Sequence, residues 1–392
     1  MEDVVIVSGA RTPIGDFQGS LKDVSAVELG IIAVQGVLNK AGVKASLVED
    51  VVAGMVYKAG AKGNPGRQVQ LAVEIPVEAA ATTVDQQCAS AMRALEIAAQ
   101  QILLGKSSVS VVVGMENMSR APHLLLNARQ GLRLGSDTVQ DHLLYDALID
   151  AFKGYHMGVT AENLAEKYGI SREEQDEVAY LSHARAIAAI KQGKFKEEII
   201  PVEVKTRKGI VVVDVDEHPR ADISREGLAK LKPAFKQDGT VTAGNASGLN
   251  DGASSLLLMA ASKAKELGVK PLAKVLSTAS YGVPPEIMGI GPAYSIPKAL
   301  KYAGLTLKDI DYFEINEAFA AQFLAVNREL NIDLDRVNAN GSGIALGHPV
   351  GCTGTRIIVT MLHEMQRRGG KYGVASLCVG GGPSMATVIE ML

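Results

Sequence analysis

The chain has 392 residues, 47% apolar and 21% charged, which is the composition of a globular protein long enough for two or three domains. A net charge of −3 argues against a general nucleic-acid binder, and no apolar run reaches the ~18 residues needed to cross a bilayer. Tryptophan is absent and aromatics are only 4%, so the core must be packed from Val, Ile, Leu, Ala and Met.

Residues 4–8 form a β-branched run that stops at Gly9 and reads as a buried strand. The acids ahead of it, Glu2 and Asp3, stand where a secretory leader needs cations. Residues 27–41 carry helical periodicity up to Gly42, and 51–55 read as a strand. A strand-like 81–84 leads into a largely buried helix over 88–104, ended by Gly105, and 108–113 form the next strand. The segment 119–150 has no clean strand. A long charged helix over 171–193 opens on Ser171-Arg172-Glu173-Glu174, a capping-box pattern. Residues 205–236 hold eight Lys or Arg against five acids, which suits either an anionic ligand or a solvated loop. The pattern then returns: strand 271–279, helix 296–303 before Gly304, strand 311–315, helix 351–368 before Gly369, strand 372–378. By element order, 1–120 and 272–392 read as two versions of one α/β unit, and about 120–248 as a large insertion lying over the active site. The chain ends Ile389-Glu390-Met391-Leu392, which is not a peroxisomal Ser-Lys-Leu tail.

The three cysteines have no paired spacing, which points to a reducing cytoplasm, and with seven His they show no close metal-ligand spacing. A lone Cys is usually a small buried hydrophobe. Cys88 has a further claim, because it stands where a strand turns into a helix and helix N-terminal amides favour a thiolate. The small Ala89, Ser90 and Ala91 leave room for a substrate carbonyl. His348, between Gly347 and Pro349 in a Gly- and Ala-rich stretch, is suited to take a thiol proton. Cys378 precedes Gly380, Gly381 and Gly382, whose backbone N–H groups can approach a ligand oxygen. Cys352 reads as structural. Asn316 follows a strand, where α/β folds bind ligands, although Asn there is also a common helix cap.

Six segments together are similar to the thiolase family, in family order over the full length. They are Gln87-Cys88-Ala89-Ser90; Tyr155-His156-Met157-Gly158; Gly244-Asn245-Ala246-Ser247-Gly248-Leu249-Asn250-Asp251-Gly252; Asn316-Glu317-Ala318-Phe319; Gly347-His348-Pro349; and Cys378-Val379-Gly380-Gly381-Gly382. Met288-Gly289-Ile290-Gly291-Pro292 favours the biosynthetic, acetoacetyl-CoA branch. The resemblance implies an α/β, thiolase-like five-layered αβαβα fold with two related halves and an inserted loop domain. Residues 1–119 with 249–271 would form the first half, 120–248 the loop domain binding coenzyme A, and 272–392 the second half. It also implies a homotetramer, a dimer of dimers. By resemblance Cys88 takes the acyl group, His348 activates it, and Cys378 moves the proton of the second acetyl-CoA. Asn316 positions a water that forms one oxyanion hole with His348; the N–H groups of Cys88 and Gly380 form the other. Arg220, Ser247, His156, Met157, Leu148, Phe235, Ala243, Ala318 and Phe319 match positions along the coenzyme A tunnel or the acyl group.

The implied reaction joins two acetyl-CoA into acetoacetyl-CoA and coenzyme A, with coenzyme A a substrate and no tightly bound cofactor, no metal, no nucleic acid and no membrane partner. A broader-chain degradative 3-ketoacyl-CoA thiolase and a non-catalytic acyl-CoA-binding homologue are the competing readings. The chain departs from the family pattern at Ala89 and Ala91, where glycines are usual, and at Pro383-Ser384 after the last glycines. Those changes are expected to narrow or stiffen the acyl pocket. If Cys88 and Cys378 face one acyl group, their sulfurs are also expected near disulfide range.

Overall fold

The computed structural model describes residues 2–392. Nine strands carry the fold: β1 (Val4–Arg11), β2 (Asp50–Gly54), β3 (Ala80–Val84), β4 (Val109–Asn117), β5 (Asn250–Ala260), β6 (Ala273–Gly282), β7 (Tyr312–Ile315), β8 (Tyr372–Cys378) and β9 (Pro383–Met391). Their order is β7-β8-β9-β6-β1-β5-β4-β2-β3. Read from its own first strand, each half has the same plan. In the N-terminal half β5 runs antiparallel to both β1 and β4, while β2 is parallel to β4 and β3. In the C-terminal half β9 is antiparallel to β6 and β8, and β7 is parallel to β8. The counterpart of β3 there shrinks to one parallel bridge between Phe313 and Val337. The two sheets touch through only two residue pairs, Val5 with Lys274 and Ile6 with Ala273.

The helices are α1 (Ala26–Ala41), α2 (Pro65–Ala72), α3 (Ser90–Leu103), α4 (Met157–Tyr168), α5 (Arg172–Lys191), α6 (Pro292–Ala303), α7 (Ala320–Leu330) and α8 (Thr353–Arg368). Strand alternation sorts the core into layers. Val5, Val7, Val111, Val113, Leu257 and Met259 face outward onto α1 and α2. Val4, Ile6, Val112 and Leu258 face inward, onto Met92 and Leu95 of α3 and Ile358 and Leu362 of α8. Leu377, Met385 and Ile389 meet the same pair of helices from the other sheet. Val374, Ala386 and Val388 face outward onto α6 and α7. The result is the expected αβαβα stack with α3 and α8 in the middle.

Several sequence expectations hold closely. Ser171 caps α5 in a full capping box with Glu174, and Gly42, Gly304 and Gly369 end their helices with left-handed φ of 64°, 71° and 65°. Others needed the structure. Strands β5 and β9, and helices α2, α4 and α7, are not evident in the residue pattern. The insertion between β4 and β5 is less a loop than a helical layer. It holds α4, α5 and the hairpin Val202–Thr206/Gly209–Val213. Met157, Ala161 and Leu164 of α4 pack into the outer core of the opposite, C-terminal half. Buried Arg11 ties the insertion to the N-terminal half, bonding Glu198 at 2.7 Å and Asp216 at 2.6 Å.

Candidate active site

Cys88 sits in a tight turn between β3 and α3. Gln87 just before it has φ 48°, left-handed for a non-glycine residue. Ser90 holds the turn: its Oγ accepts from the Gln86 N–H at 2.9 Å and donates to the Gln87 carbonyl at 2.7 Å. Three glycines let the first turn of α3 sink into the central layer. A Cβ on Gly54 would lie 2.4 Å from Ala91 N, one on Gly114 2.5 Å from Ala91 Cβ, and one on Gly354 2.4 Å from Met92 N. The backbone N–H of Gly380 stands near enough to the Cys88 sulfur to favour its charged form.

The expected depressed thiol pKa is not found. Burial pushes Cys88 up to about 11, against the opposing pull of the Gly380 N–H and its own N–H; Asp85 and Glu116 add to the rise. Desolvation outweighs the few amides because no cation stands beside the sulfur. The resting group is a neutral thiol.

His348 lies in the loop leading to α8, 5% exposed. Thr353 Oγ1 donates to the Pro349 carbonyl at 3.0 Å, so it accepts from His348 Nδ1–H at 2.7 Å. That leaves the Nε2 lone pair free, and Nε2 is buried without a partner. Burial, then the charge of Arg356, holds the imidazole down to about 3. It is therefore neutral and able to accept a proton. Val350, two residues on, shares a cluster with Val56, Tyr57, Leu143 and Ala147, against which Cys88 and Leu148 pack.

Asn316 is fully buried at the end of β7, and neither its Oδ1 nor its Nδ2 has a partner. A buried amide with both ends free is costly unless a ligand or water completes it. Its Oδ1 would lie 2.6 Å from a Cβ on Gly343, in the short helix that leads to His348. Cys378 closes β8, is 1% exposed, and is driven well above the usual thiol range by burial and then by the neighbouring Cys88 sulfur. All three cysteines are free thiols.

The remaining expected residues form a continuous wall leading away from Cys88. Met157 Sδ would lie 3.5 Å from a Cβ on Gly380. His156 caps α4, its Nδ1 accepting from Gly158 N–H at 3.0 Å, and stacks on Phe235 with centroids 4.7 Å apart. Phe235 meets Phe319 edge-on at 6.0 Å. Ser247 N–H donates to the Ala318 carbonyl at 2.9 Å, and Ala246 bridges Phe319. Ala246 in turn lines an open cleft of about 680 Å³ with Arg220, Ala243, Leu231, His183 and His218. The cleft and the aromatic wall are thus linked by direct contacts, and Met157, next to His156, carries the wall on toward Gly380.

Comparison with known proteins bears on this arrangement. Residues 4–262 match the model of the thiolase N-terminal domain, and residues 269–391 that of the thiolase C-terminal domain. The chain belongs to the thiolase family. It is 52% identical to the acetyl-CoA acetyltransferase of Pseudomonas aeruginosa over 99% of both chains, and 49% identical to that of Cupriavidus necator over 100% of both. Among solved structures, the acetyl-CoA acetyltransferase of Syntrophomonas wolfei superposes with a TM-score of 0.99 at 48% identity, covering 100% of both chains. Human mitochondrial 3-ketoacyl-CoA thiolase superposes at 0.97 with 43% identity, over 100% of this chain and 99% of that one.

Two sequence readings change in this thiolase. The methyls of Ala89 and Ala91 are fully buried, Ala89 in the central layer, and Ser384 Oγ donates to the Tyr281 carbonyl at 3.0 Å, so none of these three faces an open cleft. Only Pro383 lines open space, in a second cleft of about 690 Å³ with Gln87, Phe152 and Gly380. The basic excess in 205–236 is not one phosphate site. Arg225 pairs with Glu177 at 2.6 Å, Lys236 with Glu166 at 3.3 Å, and Lys205 lies on the hairpin; of the eight, Arg220 alone lines the first cleft. Residue reasoning also missed Thr353, Asn250 and Glu116. Asn250 Oδ1 accepts the His348 N–H at 2.9 Å. An acid ending the apolar run of β4 was the one available signal for Glu116.

Proposed function

We propose that this thiolase condenses two acetyl-CoA to acetoacetyl-CoA and coenzyme A, and runs the reverse thiolysis, through an acetyl group on Cys88. One observation carries the reading. The Cys88 sulfur is near enough to raise the Cys378 thiol, and His348 Nε2 and both amide atoms of Asn316 are buried without partners, the state expected of groups that a substrate completes.

The charges balance over two steps. Cys88 attacks the acetyl thioester as His348 Nε2 takes its proton. The N–H groups of Cys88 and Gly380 hold the oxyanion, each worth ~3–4 kcal/mol. Coenzyme A leaves with the proton of Cys378. The enzyme now holds acetyl-Cys88, an imidazolium and a Cys378 thiolate. A thiolate so poorly solvated is a strong base, which suits the weakly acidic α-carbon of a thioester. It takes a proton from the second acetyl-CoA, and the enolate oxygen is held by the imidazolium and by a water on Asn316. The enolate attacks the acetyl carbonyl, and Cys88 leaves with the proton of His348. Dividing the transfer through a thioester lowers each barrier.

Residues 120–248 serve as the coenzyme A-binding region, with Arg220, Ala243 and Ser247 at its entrance and His156, Phe235, Ala318 and Phe319 along the pantetheine path. The halves 1–119 with 249–271 and 272–392 supply the chemistry. Exposed Leu125, Leu126, Leu132, Leu134 and Val139, together with the open edge of β3, support assembly into a homotetramer, which sedimentation velocity tests. A cytoplasmic setting fits three reduced thiols. No helix among the described residues is long and apolar enough to cross a membrane.

The broader-chain reading keeps one specific support, the second cleft beside Gln87 and Gly380. Thiolysis of acetoacetyl-CoA and of longer 3-ketoacyl-CoA esters, measured side by side, decides between the two. Faster cleavage of longer esters replaces the short-chain reading, and no cleavage of any ester leaves a binding protein. In Cys378→Ala coenzyme A must leave with the proton that His348 has taken, so acetyl-Cys88 is expected to form more slowly, seen by intact-mass spectrometry, with no acetoacetyl-CoA released, seen by chromatography of the products.

A further inference from the structure

Glu116, near the end of β4, is fully buried and has no role in the steps above. Its Oε2 accepts the Val56 N–H at 2.9 Å and the Gly351 N–H at 3.0 Å, and its Oε1 accepts the Tyr57 N–H at 3.2 Å. One carboxylate therefore joins three segments: β4, the stretch after β2, and the loop that carries His348. The junction is tight, since a Cβ on Gly351 would lie 2.6 Å from Glu116 Oε2. It is also next to the nucleophile. Val56, Tyr57 and Val350 make up the cluster against which Cys88 packs.

We propose that Glu116 is a positioning residue for acyl transfer: its ionised carboxylate holds the His348 loop against the Cys88 pocket, and its protonation releases that loop. The inference rests on the reading that Cys88 accepts the acyl group. All three neighbours of the carboxylate are N–H donors. A carboxylic acid there would turn its own O–H toward donors, so at least one clamp bond is lost and one polar hydrogen is buried without an acceptor.

The clamp is ionisable in the working range. Burial raises Glu116 to about 7, against the pull of the Val56, Tyr57 and Gly351 N–H groups. The groups facing it are Asp85 and Cys88 from the turn before α3, Tyr57 from the stretch after β2, and Cys352 from the turn before α8. The cation of this neighbourhood, Lys58 on the stretch after β2, is taken up by Asp85 at 2.8 Å and makes no bond to Glu116. On the adjoining strand β5, Gly252 stands opposite Glu116, and the neighbouring Asp251 turns its carboxylate to Ser119 at 2.6 Å. His348, held to about 3, does not titrate in the same range.

The test is the single-turnover rate of Cys88 acetylation by saturating acetyl-CoA, followed by intact mass from pH 5.5 to 8.5, for the wild-type enzyme and Glu116→Gln. The wild-type rate is expected to climb about tenfold per pH unit and level off near 7. Glu116→Gln is expected to be flat with pH and slower at pH 8 by about tenfold or more, because misplacing a catalytic group by an ångström is that costly. The acetyl-CoA concentration giving half the maximal rate stays unchanged, as the clamp touches no substrate. A variant with the wild-type profile overturns the proposal. Should Glu116→Gln not fold, the wild-type profile decides alone: a rate flat across the range overturns it, and a rise ending near 7 supports it. Absence of any acetyl adduct in the wild type sinks the acyl-transfer reading and this inference with it, whereas an adduct with unaltered pH behaviour sinks the inference only.

Discussion

Cys88 and His348 are both neutral at rest, one pushed up to about 11 and the other down to about 3 by burial. A stable thiolate–imidazolium pair is thus absent before substrate arrives, and proton transfer is coupled to attack on the thioester. Thr353 makes this possible by taking Nδ1–H and leaving Nε2 as the acceptor. Thr353→Val removes that acceptor at nearly constant volume. Acetylation of Cys88 is expected to slow by on the order of 10²-fold with substrate binding unchanged, checked by single-turnover mass spectrometry. The depressed imidazole also has a stability consequence. The unfolded histidine binds a proton near 6.5, the folded one only near 3. Between these values the unfolded state holds more protons, so stability falls as the pH drops through that window. His348→Asn is expected to lessen the pH dependence of the melting temperature there, and His183, held down to about 3 by burial, contributes to the part that remains, as do the lowered His156 and His363. At this scale the residue pattern marked both thiols, the imidazole and the amide as candidates, and the structure leaves His348 Nε2 and the Asn316 amide buried without partners. The pattern did not reveal the sign of the Cys88 shift. That sign depends on how deeply the turn is buried, and no local pattern encodes it.

At the scale of elements, the site depends on how closely α3 and α8 approach the sheets. Ala91 is wedged among Gly54, Gly114 and Gly354. Gly54→Ala would place a methyl against the Ala91 backbone, which cannot yield without moving Cys88. A loss of about 1–3 kcal/mol is expected from overpacking, together with reduced acetylation, and chemical denaturation and single-turnover rates measure the two. Elements with strong β-branched or helical periodicity, such as β4 and α8, were readable from residues alone. Strand β5 was not, because it begins Asn250-Asp251-Gly252 and carries two serines. Those groups are satisfied across strands and layers. Ser255 Oγ donates to the Val112 carbonyl at 2.8 Å, and Ser254 Oγ bonds Thr355 Oγ1 at 2.5 Å. A polar residue that finds its partner a hundred positions away looks, locally, like a turn.

Over the whole molecule, the duplication was legible from element order, but the attachment of the insertion was not. Its helix α4 belongs to the core of one half, while Arg11 of the other half grips it through Glu198 and Asp216. Arg11→Met would leave both carboxylates buried without their cation. A loss of about 3–5 kcal/mol is expected in denaturant unfolding, since an unpaired buried charge is far costlier than a missing pair. That outcome would mark the insertion as a structural clasp between halves as well as a ligand-binding region.

The position of β5 has a consequence for synthesis. It lies between β1 and β4, yet it is encoded after the entire insertion, more than 130 residues beyond the end of β4 (250 − 117 = 133). As the chain leaves the ribosome, β1 has no partner in its own half until residue 260 has emerged. The C-terminal half differs, for β9 follows β8 across a short glycine turn and can pair at once. Both halves therefore close late, when the last strand joins the first, but β6 meets β9 only about a hundred residues on, whereas β1 waits more than twice as long for β5. A nascent chain stalled near residue 120 should remain open to protease and bind holdase chaperones, whereas one released past 260 should become resistant as its first sheet zips shut.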